Sequence, residues 1–530
     1  MPDTQAGLGT MLRLAARRDR ILVPAWVLGM AGMAGLSAAA TVDLYPTEEQ
    51  RLVAAEAINS SAAIVALYGR VYDPQSIGAL SMIKLTAFGA AIIGIVMLFL
   101  VIRHTRAEEE PGRLELLSGG RLGRDAPLTA ALLLAAIASV SIGVLTTIAN
   151  TASGLPFVGS LAFGAGWAAT GIVYASVGAV VAQLTTNART ARGIGLLVIA
   201  VTYGLRAVGD LAEPGPSWLS WLSPIGWNQQ LRAYAGDRWS VLLLPLLVTA
   251  VLMAVAYRLR AARDLGAGLR ADRRGPARGA LSGIGSLAWR LQGRSLIAWA
   301  TAFVVFGALL GSLASTVDDL ITSEEMRELF DKIGGSGILV DGFLGAEVAI
   351  IGAIAAAYGI SAAERLRSEE VEGRLEPLLA TSTTRTRWAL SHYVIAWCGV
   401  AALMLLVGLA LGAAAAQSLG DTGQISRIVV AGLAQVPAAW VVTSLVLLLF
   451  GWVPRASGLA WGLLVAFVAL GEFGSLWGAP GWLMGLSPLH WSPRLPVTGD
   501  AVVPLASLLL IAVALSLVGL AGWRRRDTPV

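Results

Sequence analysis

Charged residues are scarce in this 530-residue chain: Asp, Glu, Lys and Arg together make up 14% of it, whereas hydrophobic residues make up 56%. The mean hydropathy is +0.70, and a soluble fold of this length could not hide so much apolar surface. Lipid is therefore the expected solvent for most of the chain.

Residues that bind metals are also rare. The lone cysteine, Cys398, excludes a disulfide within the chain and a cysteine-rich metal site. The three histidines, His104, His392 and His490, form no His-Glu-x-x-His motif. Gly334-Gly335-Ser336-Gly337 resembles an intramembrane serine protease motif but falls in a predicted outer loop. We therefore expect no metal, no catalytic residue, no bound cofactor and no nucleic-acid partner.

A phosphate-binding loop is missing as well. Such a loop needs Gly-x-x-x-x-Gly-Lys-Ser/Thr, and the two lysines, Lys84 and Lys332, do not lie in that setting. The chain by itself is therefore not expected to hydrolyse ATP.

What the sequence does contain is a series of long apolar runs. Because a helix needs about 20 apolar residues to cross a bilayer, these runs predict an all-α polytopic membrane protein with about twelve transmembrane helices. The runs lie at residues 21–41, 81–102, 126–152, 157–183, 194–211, 240–258, 295–317, 344–362, 389–416, 428–450, 458–474 and 503–523.

Basic and acidic residues are divided between the two sides of these runs. Residues 258–294 contain nine arginines and two aspartates, and both the N-terminal tail and Arg524-Arg525-Arg526 are basic. By the positive-inside rule these segments are cytoplasmic. The first run, 21–41, is too long for the core of a signal peptide and is interpreted as a retained span. Both termini are therefore predicted to be cytoplasmic.

Two parts of the chain carry the same short motifs in the same order, which indicates an internal repeat. Gly112-Arg113-Leu114-Glu115 recurs as Gly373-Arg374-Leu375-Glu376, and Leu222-Ser223-Pro224 recurs as Leu486-Ser487-Pro488. Since each copy has an even number of spans, the two six-helix halves are expected to point the same way, related by an axis along the membrane normal, with a cavity between them. The predicted organisation is a first half at 1–260, a basic linker at 261–294 and a second half at 295–530.

The repeated segments 103–124 and 363–388 each predict a short amphipathic helix that stands off the membrane. Their leucines share a face at i, i+3 spacing and charged residues surround them, which suits docking to a two-fold symmetric cytoplasmic partner. A helix lying on lipid headgroups is the alternative, although anionic lipid repels glutamates. The docking residues are Glu109, Glu110, Arg113, Leu114, Glu115 and Leu117 in the first copy, and Glu370, Glu372, Arg374, Leu375, Glu376 and Leu378 in the second.

These segments resemble the loop between spans two and three of type-2 ATP-binding-cassette (ABC) exporter permeases, which reads acidic-acidic-x-x-Gly-x-Leu-Glu-x-Leu-Leu. The match covers Glu109 to Leu117 and Glu370 to Leu379. The fused twelve-span layout is similar to bacterial polyketide-antibiotic (tetronasin-type) exporter permeases. The resemblance implies that both segments are coupling helices, docked on two copies of a cytoplasmic ATPase subunit that binds ATP and Mg. It also implies amphipathic elbow helices at 8–18 and 281–292.

Residues 119–124, Gly-Gly-Arg-Leu-Gly-Arg, favour an alternative: a proton-coupled drug antiporter of the major facilitator superfamily, whose loop motif they resemble. That superfamily also has twelve spans in two like-oriented halves. However, the acidic residue before the first motif arginine is missing, and the second copy repeats the glutamates without the Gly-Arg pattern. Ion coupling would also need an ionisable residue deep in a span, and few exist here. The ABC permease is therefore the preferred interpretation.

The segments before the last span of each half are rich in tryptophan and contain proline. Tryptophans usually anchor at the membrane interface, whereas in the resembled family these segments form re-entrant helices that close the outer end. Arg206 and Asp210 lie one helical turn apart and could pair with each other. A pair between Arg206 and Glu472 across the halves is a second hypothesis, and independent, solvated side chains are favoured over that cross-half pair. The outer-gate candidates are Arg206, Asp210, Glu472, Pro224, Trp227, Pro488 and Trp491.

Apolar side chains of the first span in each half predict the nature of the cargo. We expect a cavity lined by the first, second and fifth spans, with the candidates Trp26, Met30, Met33, Trp299, Phe303 and Phe306. Such a lining favours hydrophobic or amphiphilic molecules, although side chains of this kind more often contact lipid or other helices. The prediction is a permease of the bacterial plasma membrane that exports drug-like molecules by alternating access, driven by a separate ATPase.

Overall fold

The computed structural model describes residues 4–60, 62–110, 112–114, 122–212, 215–264, 268, 283–314, 337–473, 480–493 and 501–527. Within these ranges all the regular secondary structure is helical, and eleven helices are long and apolar enough to cross a membrane. The prediction of an all-α polytopic membrane protein is confirmed. The chain divides into two compact units, Met1–Gly275 (unit 1) and Pro276–Val530 (unit 2).

Unit 1 contains six of the spanning helices, separated by shorter ones. Its helices are α1 (Leu8–Arg18), α2 (Leu22–Leu44), α3 (Glu48–Ser60), α4 (Ala62–Tyr68), α5 (Ile77–His104), α6 (Arg106–Glu109), α7 (Ala126–Ala152), α8 (Phe157–Leu184), α9 (Ala188–Leu211), α10 (Trp218–Trp221), α11 (Pro224–Gln230) and α12 (Leu243–Ala261), with a 3-10 turn at Trp239–Leu242. The six spans are α2, α5, α7, α8, α9 and α12.

Unit 2 follows the same order. Its helices are α13 (Ile284–Gly311), α14 (Gly337–Ala363), α15 (Arg365–Val371), α16 (Leu375–Leu379), α17 (Arg385–Leu419), α18 (Gly423–Trp452), α19 (Leu459–Phe473), α20 (Gly481–Met484) and α21 (Val502–Arg525), with a 3-10 turn at Pro454–Ala456. The eleventh predicted span corresponds to α19, of which the structure describes 15 residues, so it is not counted among the eleven helices.

The spanning helices pack in the same pattern inside each unit. In unit 1 the third span, α7, lies against α2 and α8, and α8 also packs on α5 and α12. In unit 2 the third span, α17, lies against α13 and α18, and α18 also packs on α14 and α21. The helix at the position of the fifth predicted span, α9 in unit 1 and α19 in unit 2, contacts the second span of the same unit. Each unit is therefore one copy of the same helical arrangement.

Glycines allow the closest of these approaches, as expected for helices that pack in lipid. A Cβ atom on Gly143 of α7 would lie 2.5 Å from the carbonyl oxygen of Gly164 in α8. In unit 2, a Cβ on Gly451 of α18 would lie 2.2 Å from the carbonyl oxygen of Gly519 in α21. At these points the backbones touch, and any larger residue would push the spans apart.

The two units differ at their first spans. In unit 1 the predicted elbow helix is a separate element, α1, because the chain breaks at Asp19, whose buried carboxylate binds Arg103 and His104 at the end of α5. In unit 2 the elbow predicted at 281–292 is not separate: from Ile284 onward it forms one continuous helix with the first span, through Gly293 to Gly311. The second span of unit 1 also extends beyond its predicted end at residue 102. The helix α5 ends at His104, and α6 begins after a single residue, Thr105.

Candidate functional site

The acidic residues predicted to form a docking helix lead to a buried ionic cluster in unit 1. Glu109 lies on α6, and its side chain is 1% exposed. Its carboxylate accepts two hydrogen bonds of 2.9 Å from the guanidinium of Arg263, just beyond α12, and pairs with Arg106 one helical turn earlier, also at 2.9 Å. Arg260 approaches the same carboxylate at 3.6 Å. The end of the second span is thus bound to the end of the sixth.

The start of the third span joins the same cluster. Arg124 lies just before α7, and its Nη2 donates to the carbonyl oxygens of Arg260, Ala261 and Arg263, which lie at and just beyond the C-terminal end of α12. In return, the guanidinium of Arg260 donates to the carbonyl oxygen of Arg124, with its Nε at 2.8 Å. We call the set of Arg106, Glu109, Arg124, Arg260 and Arg263 clamp 1.

Unit 2 contains an equivalent cluster, clamp 2, formed by Arg367, Glu370, Arg385, Trp523 and Arg526. The Glu370 carboxylate, 3% exposed, pairs with Arg367 at 2.9 Å and with Arg526 at 2.6 Å. Arg385, at the start of α17, donates to the carbonyl oxygen of Arg526 at 2.5 Å. The indole Nε1 of Trp523 donates to the carbonyl oxygen of Arg385 at 3.1 Å. Burial lowers the pKa of the Arg526 guanidinium, and the Glu370 carboxylate opposes that shift.

The members of the two clamps correspond through the internal repeat. Arg106, Glu109 and Arg124 each recur 261 residues later, as Arg367, Glu370 and Arg385. Arg260 and Arg263 recur 263 residues later, as Trp523 and Arg526. Sequence reasoning identified the two glutamates but treated the arginines after the sixth and twelfth spans only as markers of topology. Extending the repeat to these arginines would have found the clamps.

The other residues predicted to dock in the first copy have varied environments. The exposed Glu110 accepts hydrogen bonds from Asn187 and from the backbone amide of Ala188, at the N-terminal end of α9. Arg113 is exposed, with its guanidinium 3.7 Å from Glu108, whereas Leu114 is 2% exposed. Glu115 and Leu117 lie outside the described residues.

In the second copy, the chain turns sharply at Gly373, whose φ of +69° favours glycine, as Gly112 with a φ of +71° does in the first. Beyond the turn, Leu375 is buried against Leu366, Trp388 and Phe450, and Leu378 packs on the edge of this cluster. Glu372, Arg374 and Glu376 are exposed. Glu370, which the amphipathic pattern grouped with these outward-facing residues, instead faces inward because Arg526 and Arg367 neutralise it.

An apolar groove lies between α2 and α5 in unit 1 and brings together three of the predicted cavity residues, Trp26, Met30 and Met33. Its volume is about 910 Å³. The lining is apolar except at one end, where Arg103 of α5 and Arg192 of α9 lie. The first, second and fifth spans thus all contribute to it.

The predicted cavity residues of unit 2 are packed more tightly. The Trp299 ring lies 6.0 Å, between centroids, from both Phe303 and Tyr358, in edge-to-face contacts. Phe303 is 4% exposed, and Phe306 packs against the same core. In unit 2 the first and second spans are therefore joined by aromatic rings at the position of these residues.

Arg206 and Asp210, predicted at the outer end, pair with each other inside unit 1. Arg206 is fully buried; its Nη1 lies 3.4 Å from the Asp210 carboxylate, and its Nη2 donates to the carbonyl oxygens of Ala66 and Leu67 at the end of α4. Asp210 also accepts a hydrogen bond of 2.7 Å from Ser220. The side chain of Glu472 lies outside the described residues, so its pairing with Arg206 stays a prediction.

The segments before the last spans show a shared geometry. Pro224 occupies the first turn of α11, and the indole of Trp227 donates to the carbonyl oxygen of Trp221, six residues earlier, at 2.6 Å. In unit 2, Pro488 follows α20 in a turn, and the indole of Trp491 donates to the carbonyl oxygen of Gly485, also six residues earlier, at 2.9 Å. Trp227 is buried whereas Trp491 is exposed.

Comparison with known proteins gives two matches. Residues 281–524 match a family described as the C-terminal domain of the multidrug efflux system permease Rv1217c. The chain is 42% identical over 522 residues to the multidrug efflux system permease protein Rv1217c of Mycobacterium tuberculosis (strain ATCC 25618 / H37Rv). This alignment covers 98% of the chain and 94% of that relative.

Proposed function

Because the chain belongs to the family of multidrug efflux system permeases, we propose that it is the membrane subunit of an ATP-driven exporter. Two copies of a separate ATPase subunit, which bind ATP and Mg, drive it by docking on the segments that follow the second and eighth spans. In this proposal both termini lie in the cytoplasm of a bacterial plasma membrane. Substrates pass outward by alternating access.

The observation that carries this proposal is the pair of clamps. A motor subunit that displaces the end of the second span must move other spans to change access to the pathway. In clamp 1, Glu109 on α6 is bound to Arg263 after α12, and Arg124 before α7 donates to the carbonyl oxygens at the end of α12. Breaking such a buried ionic contact costs free energy, so the three helix ends are expected to move together.

The exposed residues beyond the clamps supply the surface for a partner. Glu372, Arg374 and Glu376 are exposed around the turn at Gly373, while Leu375 anchors that turn to the core of unit 2. The glutamates of this motif therefore divide into two roles. Glu109 and Glu370 hold the helix ends together, whereas the exposed Glu372 and Glu376 can be reached by basic side chains of an ATPase. For Glu372, such a contact would compete with its pairing to Arg374.

The groove between α2 and α5 supports an apolar or amphiphilic cargo. Its volume of about 910 Å³ suits drug-sized molecules, which bind in pockets of roughly 300–1,000 Å³. Trp26, Met30 and Met33 supply flexible and aromatic contacts of the kind that accommodate varied ligands.

The test is co-expression of the chain with its neighbouring gene, followed by affinity purification to see whether an ATPase accompanies it. We expect two ATPase copies to accompany the chain and the double substitution Glu372→Lys with Glu376→Lys to abolish their binding. Glu49→Lys on α3, in the predicted outer loop, is the matched control and should retain the ATPase. Transport by the purified chain alone, driven by a proton gradient, would instead support the antiporter.

A further inference from the structure

The groove between α2 and α5 is apolar along its length and cationic at one end. From Leu22 to Met33 on α2, and from Ile92 to Arg103 on α5, each wall extends about 16 Å at a rise of 1.5 Å per residue. Because the two helices run in opposite directions, Leu22 and Arg103 lie at the same end. A ligand that fills the groove therefore has an apolar body and one polar end.

The two arginines at that end are not equivalent. Arg103 is neutralised by Asp19, whose buried carboxylate lies 2.9 Å from its Nη2. Arg192 has no carboxylate within salt-bridge distance among the described residues; its guanidinium lies over the Phe99 ring, 5.9 Å from the centroid. Glu110, on the same side, is already bound to the N-terminal end of α9 through Asn187. Among the described residues of the groove, Arg192 is thus the cation with no carboxylate within salt-bridge distance, and Glu110 acts on it only from farther away.

Helix packing fixes Arg192 in this position. Gly195, one turn after Arg192 on the same face of α9, lies directly against Leu98 of α5, where an added Cβ would be 2.5 Å from the leucine side chain. This close approach holds the N-terminal turn of α9 against the α5 wall, beside Phe99. The guanidinium therefore faces the groove.

We propose that Arg192 selects anionic amphiphiles as substrates, by pairing with a carboxylate or similar acidic group while the apolar body lies along Met30, Met33 and Met97. This inference rests on the proposed export function and names its substrate class. A guanidinium at a largely apolar site favours an anion because it donates two parallel hydrogen bonds to a carboxylate. Neutral molecules of the same shape would bind through the apolar walls alone.

The test uses the purified full chain in a neutral detergent, with dansylundecanoic acid and its uncharged methyl ester as fluorescent probes. We expect the wild-type chain to bind the acid more tightly than the ester. Arg192→Gln should weaken binding of the acid about tenfold and leave binding of the ester unchanged, because one charge-assisted contact is lost. Arg189→Gln, an exposed arginine one turn earlier on the same helix, is the control and should change neither.

Three results would overturn the proposal. Equal weakening of the acid and the ester would show that Arg192 only shapes the groove. Unchanged binding of the acid by Arg192→Gln would show that Arg192 does not recognise the charge of the acid. A third result is displacement of the fluorescent acid by phosphatidylglycerol but not by an excess of undecanoic acid. That result would identify a site for membrane lipid.

Binding by the chain alone is independent of the motor, so this test separates the inference from the function on which it rests. Proteoliposomes that contain the chain and its ATPase provide the second readout. Selective binding of the acid without ATP-driven export would contradict the proposed function alone. Export of both probes that is insensitive to Arg192→Gln would contradict the inference alone.

Discussion

The two clamps share one geometry but differ in chemistry. In clamp 1 the carbonyl oxygen of Arg124 accepts from the guanidinium of Arg260, whereas in clamp 2 the carbonyl oxygen of Arg385 accepts from the indole of Trp523. The repeat therefore retains a hydrogen-bond donor at this position without retaining its charge. The hydrogen bond between the third and sixth spans of each unit is the common element.

This difference changes how each glutamate is neutralised. Glu109 is surrounded by three arginines whose side chains are at most 5% exposed. Glu370 has two arginines that are 15% and 27% exposed, and Arg526 also lies over the rings of Phe450 and Trp523, 5.0 Å from each centroid. Clamp 1 depends on buried charge, whereas clamp 2 depends on a partly exposed cation held by aromatic rings.

Glu109→Gln should have the largest effect, because it removes the carboxylate charge that three buried guanidinium groups share. Breaking a buried ion pair in this way costs about 3–5 kcal/mol. We expect a lower melting temperature in detergent and a loss of export in cells. Glu49→Gln, at an exposed side chain on α3 that belongs to neither clamp, should leave both properties unchanged. A wild-type melting temperature for Glu109→Gln would show that clamp 1 does not hold the helix ends together.

Glu370→Gln should lower the melting temperature and the export less than Glu109→Gln does. Arg367 and Arg526 keep access to water, and Arg526 keeps its contacts with Phe450 and Trp523. The expected loss is about 1–3 kcal/mol, the cost of leaving buried hydrogen-bonding groups unpaired. If Glu370→Gln destabilised the chain as much as Glu109→Gln, the contrast between an ionic and an aromatic clamp would be wrong.

The arginines before the third spans allow a finer comparison. Arg124 donates to three carbonyl oxygens at the end of α12, whereas Arg385 donates to one, that of Arg526. A cation at a helix C terminus is stabilising, so Arg124→Gln should cost about 1–2 kcal/mol and Arg385→Gln about half as much. Melting temperatures of the two single variants and the double variant test this. Because the clamps lie in separate units, the two losses should add.

The sequence predicted the helices and the repeat more successfully than the clamps. Long apolar runs such as 126–152 and 157–183 fix a spanning helix by length alone, and both were found within a residue of α7 and α8. The inward direction of Glu109 could not be predicted this way. It depends on Arg263, 154 residues later in the chain, and amphipathic spacing describes only neighbours on one helix.

The groove was predicted in part for a similar reason. Trp26, Met30 and Met33 share one face of α2 by their spacing, so the sequence could place them together. Arg192 was not identified, because its role depends on α9 approaching α5 at Gly195. Trp299 was misplaced because a contact with a distant helix cannot be predicted from spacing along one helix. An aromatic residue in a first span predicts a lining position, but the Trp299 ring instead packs edge-to-face on Tyr358 of the second span.

The smallest predicted effect is a difference in stability between phenylalanine substitutions at two buried tyrosines, Tyr174 and Tyr358. The Tyr174 hydroxyl in unit 1 shares a hydrogen bond of 2.6 Å with Thr202, whereas the Tyr358 hydroxyl in unit 2 is buried without a hydrogen-bond partner among the described residues. Tyr174→Phe should cost about 1 kcal/mol, and Tyr358→Phe should be neutral or slightly stabilising, because it removes an unsatisfied polar group. Melting curves of the two variants measure the difference. A clear loss for Tyr358→Phe would mean that its hydroxyl has a partner, so that the aromatic packing of the first and second spans in unit 2 includes a polar contact.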